Sequence, residues 1–161
     1  MSASWTYDSD GFEALRPGLQ RIYRRGRRSM RAVADEPSDE HLHEWRKRAK
    51  DLWHALQIAH PAAPKRMKAL ARQAHQLSDL LGDDHDLAVL REHIARRGVA
   101  FEREATRTAL LSAIDRRRAS LRREALTLGA RIYARRPKRF ARLVERGWQK
   151  RAAKHPEPIA G

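Results

Sequence analysis

Residues 43–54 read His-Glu-Trp-Arg-Lys-Arg-Ala-Lys-Asp-Leu-Trp-His, and no other stretch constrains the fold as much. In a helix each residue turns by about 100°. His43, Arg46, Lys47, Lys50 and His54 then share one stripe, with Leu42, Trp45, Ala49, Leu52, Trp53 and Leu56 on the stripe beside it. The apolar stripe is a face that must be buried against other elements. The other is a row of cations, with no carboxylate, held against that core. A one-signed row along a cleft concentrates its field and selects an anion. The competing reading is a solvated basic face.

The rest of the chain is patterned the same way. Val and Ile are sparse, and no Asn-Gly or Asp-Gly turn separates alternating runs, so strands are not expected. The spacing predicts a first helix to about residue 35, with Leu15, Leu19, Ile22, Met30 and Val33 inward. Its start is expected to break or kink at Arg16-Pro17-Gly18, because the residue before proline avoids the helical region. Ser38 is a suitable N-cap for a second helix over about 39–60. A third is expected over 64–81, stopped by Gly82 as a residue that tolerates the helix-ending conformation. Asp83 or Asp84 then caps a short fourth helix, 84–97, with Leu87, Leu90 and Ile94 inward. A fifth covers 101–135 on Leu110, Ile114, Leu121, Ala125, Leu128 and Ile132. Pro137 opens a sixth, 137–153, with Phe140, Leu143, Val144 and Trp148 inward. The expectation is an all-α fold, an antiparallel helical bundle of about six helices. It forms a single domain over 1–161, with loose tails at 1–9 and 154–161.

Charge narrows the partners. Lys+Arg is 35 against Asp+Glu 20, a formal net charge of +15, and only seven of the cations are lysine. Arginine is favoured where several donors must meet phosphate or carboxylate oxygens. Nucleic acid, an anionic membrane or another polyanion are the partners that such a balance admits. There is no cysteine, hence no disulfide framework and no thiolate metal site. No secretory leader or membrane span is recognisable, and a cytoplasmic protein is expected.

On the first helix, Arg16, Gln20, Tyr23 and Arg27 lie to one side of the core stripe, with Arg24 and Arg31 further round. Antiparallel pairing would turn Tyr23 and Arg27 towards Lys47 and Lys50, making one groove. Lys68, Arg72 and His75 follow one flank of the third helix. Arg117 and Arg118 interrupt the apolar stripe of the fifth, where a guanidinium must find a partner, reach a wet cavity or snorkel outward. No His-Glu-x-x-His pattern, Walker loop, nucleophile elbow or carboxylate cluster appears, so neither catalysis nor a cofactor is expected. Trp45, Trp53, Phe140 and Trp148 fall on core faces, which leaves little for stacking on bases.

Three motifs in order carry a resemblance. His43-x-x-Arg46-Lys47-x-x-Lys50-x-Leu52 is preceded by Tyr23-Arg24-Arg25-Gly26-Arg27-Arg28 and followed by Leu81-Gly82-x-x-x-Asp86-Leu87-Ala88-Val89-Leu90. Over roughly residues 11–150 the chain resembles the conserved histidine α-helical domain, CHAD, and looks like its C-terminal half. The resemblance implies two pseudo-repeated helical bundles around a basic pocket, binding of inorganic polyphosphate and association with polyphosphate granules. It implies His43, Arg46, Lys47 and Lys50 as pocket residues, with Arg24 and Arg27 facing them. The stripes add His54, Arg117 and Arg118. The expected activity is polyphosphate binding without catalysis, with nucleic acid as a weaker competitor and a second copy of the chain supplying the other half as a homodimer. The alternatives are a nucleic-acid-binding protein and a metal-dependent phosphohydrolase using histidines with Asp83, Asp84 or Asp86.

Overall fold

The computed structural model describes residues 9–59, 64–97 and 103–154. Five helices follow in order: α1 Ser9–Asp35, α2 Asp39–Ala59, α3 Pro64–Arg97, α4 Glu104–Ile132 and α5 Pro137–Lys154. The fold is all-α, and no strand occurs among the described residues. The expected tails shorten slightly, since Ser9 and Lys154 are already helical, while 1–8 and 155–161 lie outside the described residues. The expected entry of the fifth helix at 101 falls there too.

The count is five, not six, because α3 runs unbroken through Gly82. A glycine inside a helix costs only about 1 kcal/mol relative to alanine. Packing on both sides of α3 outweighs that. Asp83 and Asp84 are therefore mid-helix residues, not caps. Pro17 is likewise inside α1, which continues through the expected break. Ser38 does cap α2: its Oγ accepts a hydrogen bond from the His41 N–H at 3.2 Å.

Each helix is antiparallel to the neighbours that matter. Phe12 meets Trp148, Arg16 pairs with Glu145 and Tyr23 stacks on Phe140, so α1 and α5 run in opposite directions. Asp84 pairs with Arg118 and Arg91 with Asp115, which sets α3 against α4. All five helices feed one core, centred on Trp45, Tyr23, Tyr133 and Phe140. Two glycines let helices approach there. A Cβ on Gly129 would stand 2.5 Å from the Trp45 ring, and one on Gly26 would overlap the Tyr133 phenol. Tyr23, which the sequence placed at a groove, is fully buried; its hydroxyl donates to the Ile132 carbonyl at 2.9 Å. Leu90 and Leu110, expected inward, are exposed, because among the described residues no third helix packs on that part of the α3–α4 pair.

Candidate anion-binding site

The packing of α2 on α3 decides where the cations converge. The His43 and His85 rings lie 5.6 Å apart, and those of Trp53 and His75 lie 4.5 Å apart. Between them the Arg46 guanidinium rests on the backbone of Gly82, with Nε and a terminal nitrogen 3.4 Å from where a Cβ would stand. Gly82 is thus a seat for Arg46. A Cβ there would stand in ordinary van der Waals contact with that guanidinium. The spacing of His43-x-x-Arg46 matches that of Gly82-x-x-His85 read in the opposite direction, a signal visible only once antiparallel pairing is assumed.

Lys50 stands one turn beyond Arg46 on the same face of α2, and Trp53 and Gln57 continue the row. From Trp53 onward the groove opens into a cleft of about 440 Å³, lined by Trp53, Gln57, Lys68, Ala71, Arg72 and His75. Trp53 is therefore a half-buried wall of this cleft, with His54 packed on one side at 4.6 Å, and not the core residue expected. The acids of α2 point elsewhere. Glu44 and Asp51 both bind Arg48, at 2.6 and 2.8 Å, and Glu44 reaches Lys47 at 3.5 Å. The hydrogen bond from Arg48 holds the Glu44 carboxyl below its ordinary value, against a smaller opposing effect of burial. Across the groove, the carboxylate on α3 bonded to a site residue is Asp79, paired with His75 at 2.9 Å.

The satisfaction of two arginines differs sharply. Arg118 is only 8 % exposed, yet carboxylates meet it: Nε and a terminal nitrogen each donate to Asp84 at 3.1 Å, and a further bond reaches Asp39. Burial alone would lower its pKa, but the bonds to Asp84 and Asp39 carry it above the ordinary guanidinium value. Arg122 donates to Asp84 as well, at 3.1 Å. This network ties the N-terminus of α2 to α3 and α4. Arg46, by contrast, has a buried Nε with no hydrogen-bond partner. A cation in that position has an unmet demand for an anion.

The expected site residues fall into three groups. His43, Arg46, Lys50 and His54 lie along the α2–α3 groove, and Lys47 sits on its outer edge beside Glu44. Arg24 and Arg27 are elsewhere, on the α5 side of α1. The charge of Arg27 acts, with that of Arg135, on the Tyr23 phenol, lowering a pKa that burial, the larger effect, raises. The groove expected between α1 and α2 is replaced by one between α2 and α3, because the α1 face carrying Tyr23 turns to α5. Arg118 is a structural ion pair and Arg117 an exposed residue 3.7 Å from Glu124. The sequence reading gave Gly82 and Asp84 other roles and did not single out His85 or Asp39. Among the described residues no group of three or more His, Asp or Glu side chains could hold a metal ion. A smaller cleft of about 180 Å³, lined by Phe12, Leu15, Ala55 and Trp148 among others, is apolar and bears no charge.

The model of one family, the CHAD domain, matches residues 4–95. The chain belongs to the CHAD family. The match takes in α1, α2 and nearly all of α3, and so every residue of the groove. It lies in the N-terminal part of the chain and is narrower than the 11–150 expected from the motifs. CHAD membership points in general terms to a polyphosphate-type partner. Comparison with curated proteins and with solved structures gives no match. No helix among the described residues is long and apolar enough to cross a membrane.

Proposed function

We propose that the chain binds inorganic polyphosphate along the α2–α3 groove and performs no chemistry on it. The observation that carries the reading is Arg46: a half-buried guanidinium, seated on Gly82 and one turn from His43, whose Nε has no partner. A carboxylate satisfies the comparable Arg118; no side chain among the described residues does the same for the Arg46 Nε. His43 and His85 flank it on one side. Lys50, His54, Lys68 and Arg72 extend the positive row towards the cleft, over about 20 Å from residue 43 to residue 57 at roughly 1.5 Å per residue. A flexible chain of phosphates fits such a row without any base-reading group. Each phosphate neutralised releases counterions, so affinity falls with salt.

The test is a titration of wild type and Arg46→Gln/Lys50→Gln with long-chain polyphosphate at several salt concentrations, with helicity followed by circular dichroism. Charge-assisted contacts are worth roughly 1.5–3 kcal/mol each. The double variant is expected to lose at least about tenfold in affinity and to show a shallower salt dependence. Arg24→Gln/Arg27→Gln, away from the groove, is expected to lose less than the groove variant. A folded groove variant that binds like wild type overturns the assignment.

A further inference from the structure

Outside the groove, the last helix carries the most one-sided charge among the described residues. α5 has a single acid, Glu145, and that acid is taken by Arg16 of α1. Lys138, Arg142, Arg146, Lys150 and Lys154 repeat every four residues along it, and all five are exposed. They form one ridge of like charges about 6 Å apart along the axis, at roughly 1.5 Å per residue. Like charges at this spacing weaken a helix. No carboxylate pairs with any of the five among the described residues. The ridge is therefore a feature that folding alone does not favour and that a polyanion would relieve.

α1 lies alongside and repeats it. Arg21, Arg24, Arg25, Arg28 and Arg31 are exposed, and no acid interrupts α1 between Glu13 and Asp35. The Arg16–Glu145 pair and the Tyr23–Phe140 stack bind the two helices side by side. The result is a broad arginine-rich face. It differs in shape from the α2–α3 groove, having no cleft, and α5 lies beyond the stretch that matches the CHAD family.

The face lacks what two other polyanions require. Its described aromatics, Phe12, Tyr23, Phe140 and Trp148, are buried, so among the described residues it offers no platform for stacking the bases of a single strand. Among the described residues the exposed large apolar ones, Ile58, Val89, Leu90 and Leu110, lie on α2, α3 and α4, so this face presents none of them to a bilayer. A helix with a fully charged outer surface does fit against the phosphates bordering a major groove, which is about 12 Å wide. We infer that the α1–α5 face is a second binding surface, specific for the backbone of double-stranded nucleic acid and indifferent to sequence. Such contacts position a duplex without reading its bases. The chain then holds a duplex on one side while the α2–α3 groove stays open on another.

The experiment measures binding of a short labelled DNA duplex of mixed sequence across a salt series, using the full chain. The substitution set is Lys138→Gln/Arg142→Gln/Arg146→Gln/Lys150→Gln. These residues are exposed and mutually repelling, so the variant is expected to melt no lower than wild type. Each phosphate contact contributes about 0.9 to the slope of log affinity against log salt, so the slope should fall by roughly three to four. Arg21→Gln/Arg25→Gln/Arg28→Gln should lower it further when added. The groove variant Arg46→Gln/Lys50→Gln should keep the wild-type slope, a readout that does not require polyphosphate to be the groove's ligand. An unchanged slope in the α5 variant overturns the inference. So does an equal loss in the groove variant, or binding to phosphatidylserine vesicles in the absence of any duplex binding.

Discussion

Asp84→Ala is the substitution whose consequence can be worked out most fully. Asp84 is 2 % exposed and accepts three bonds at 3.1 Å, two from Arg118 and one from Arg122. Removing it leaves the Arg118 guanidinium, with a side chain only 9 % exposed, bonded to Asp39 alone. Breaking a buried pair from one side costs about 3–5 kcal/mol. The surviving bond to the exposed Asp39, and the route to water that it keeps open, put the expectation at the lower end, about 3 kcal/mol. Against a total stability of roughly 5–15 kcal/mol for a domain of this kind, that is a large fraction. The double variant Asp84→Leu/Arg118→Leu removes both charges and fills similar volume, so it should recover most of the loss. Urea unfolding followed by far-UV circular dichroism gives both numbers, provided the slope of the transition is the same in all variants. A single-variant loss below about 1 kcal/mol would refute the view that Asp84 is what makes the burial of Arg118 tolerable. So would a double variant as unstable as the single one.

Glycine substitutions should differ in sign by position. Gly82→Ala places a methyl 3.4 Å from Arg46, an ordinary contact, and should stabilise by up to about 1 kcal/mol through helix propensity, as should Gly18→Ala, which meets nothing within 4 Å. Gly129→Ala sets a methyl 2.5 Å from Trp45 and should destabilise by more than about 1 kcal/mol; thermal melts showing all three shifted the same way would contradict this. The Asp115 carboxyl is held below its ordinary value, chiefly by the hydrogen bond from Arg91 at 2.7 Å. A depressed carboxyl contributes stability that is complete at neutral pH and disappears as pH falls through the depressed value. Urea midpoints measured from about pH 7 down to about pH 3 should therefore fall less steeply in Asp115→Asn than in wild type; equal slopes would remove Asp115 from the acid response.

Much of this protein was legible in the sequence because helix periodicity is local. Leu42, Trp45, Ala49, Leu52 and Leu56 recur at helical spacing, and all are buried as that spacing requires. Ser38 could be read as a cap because its partner lies three residues away. The basic stripe of His43, Arg46, Lys50 and His54 follows from the same arithmetic, and the family could be identified from motifs that use it. Which helix faces that stripe was not legible. The partner is α3 and not α1, a choice made by contacts far apart in the chain: Tyr23 commits its face of α1 to Phe140 and Ile132, more than a hundred residues away. The same distance hid the fate of Arg118, whose carboxylates Asp84 and Asp39 come from two other helices. Gly82 was misread for a related reason. A glycine reads locally as a helix stop, and only the packing of α2 and α4 on α3 reveals that the helix continues through it, with the Arg46 guanidinium resting alongside.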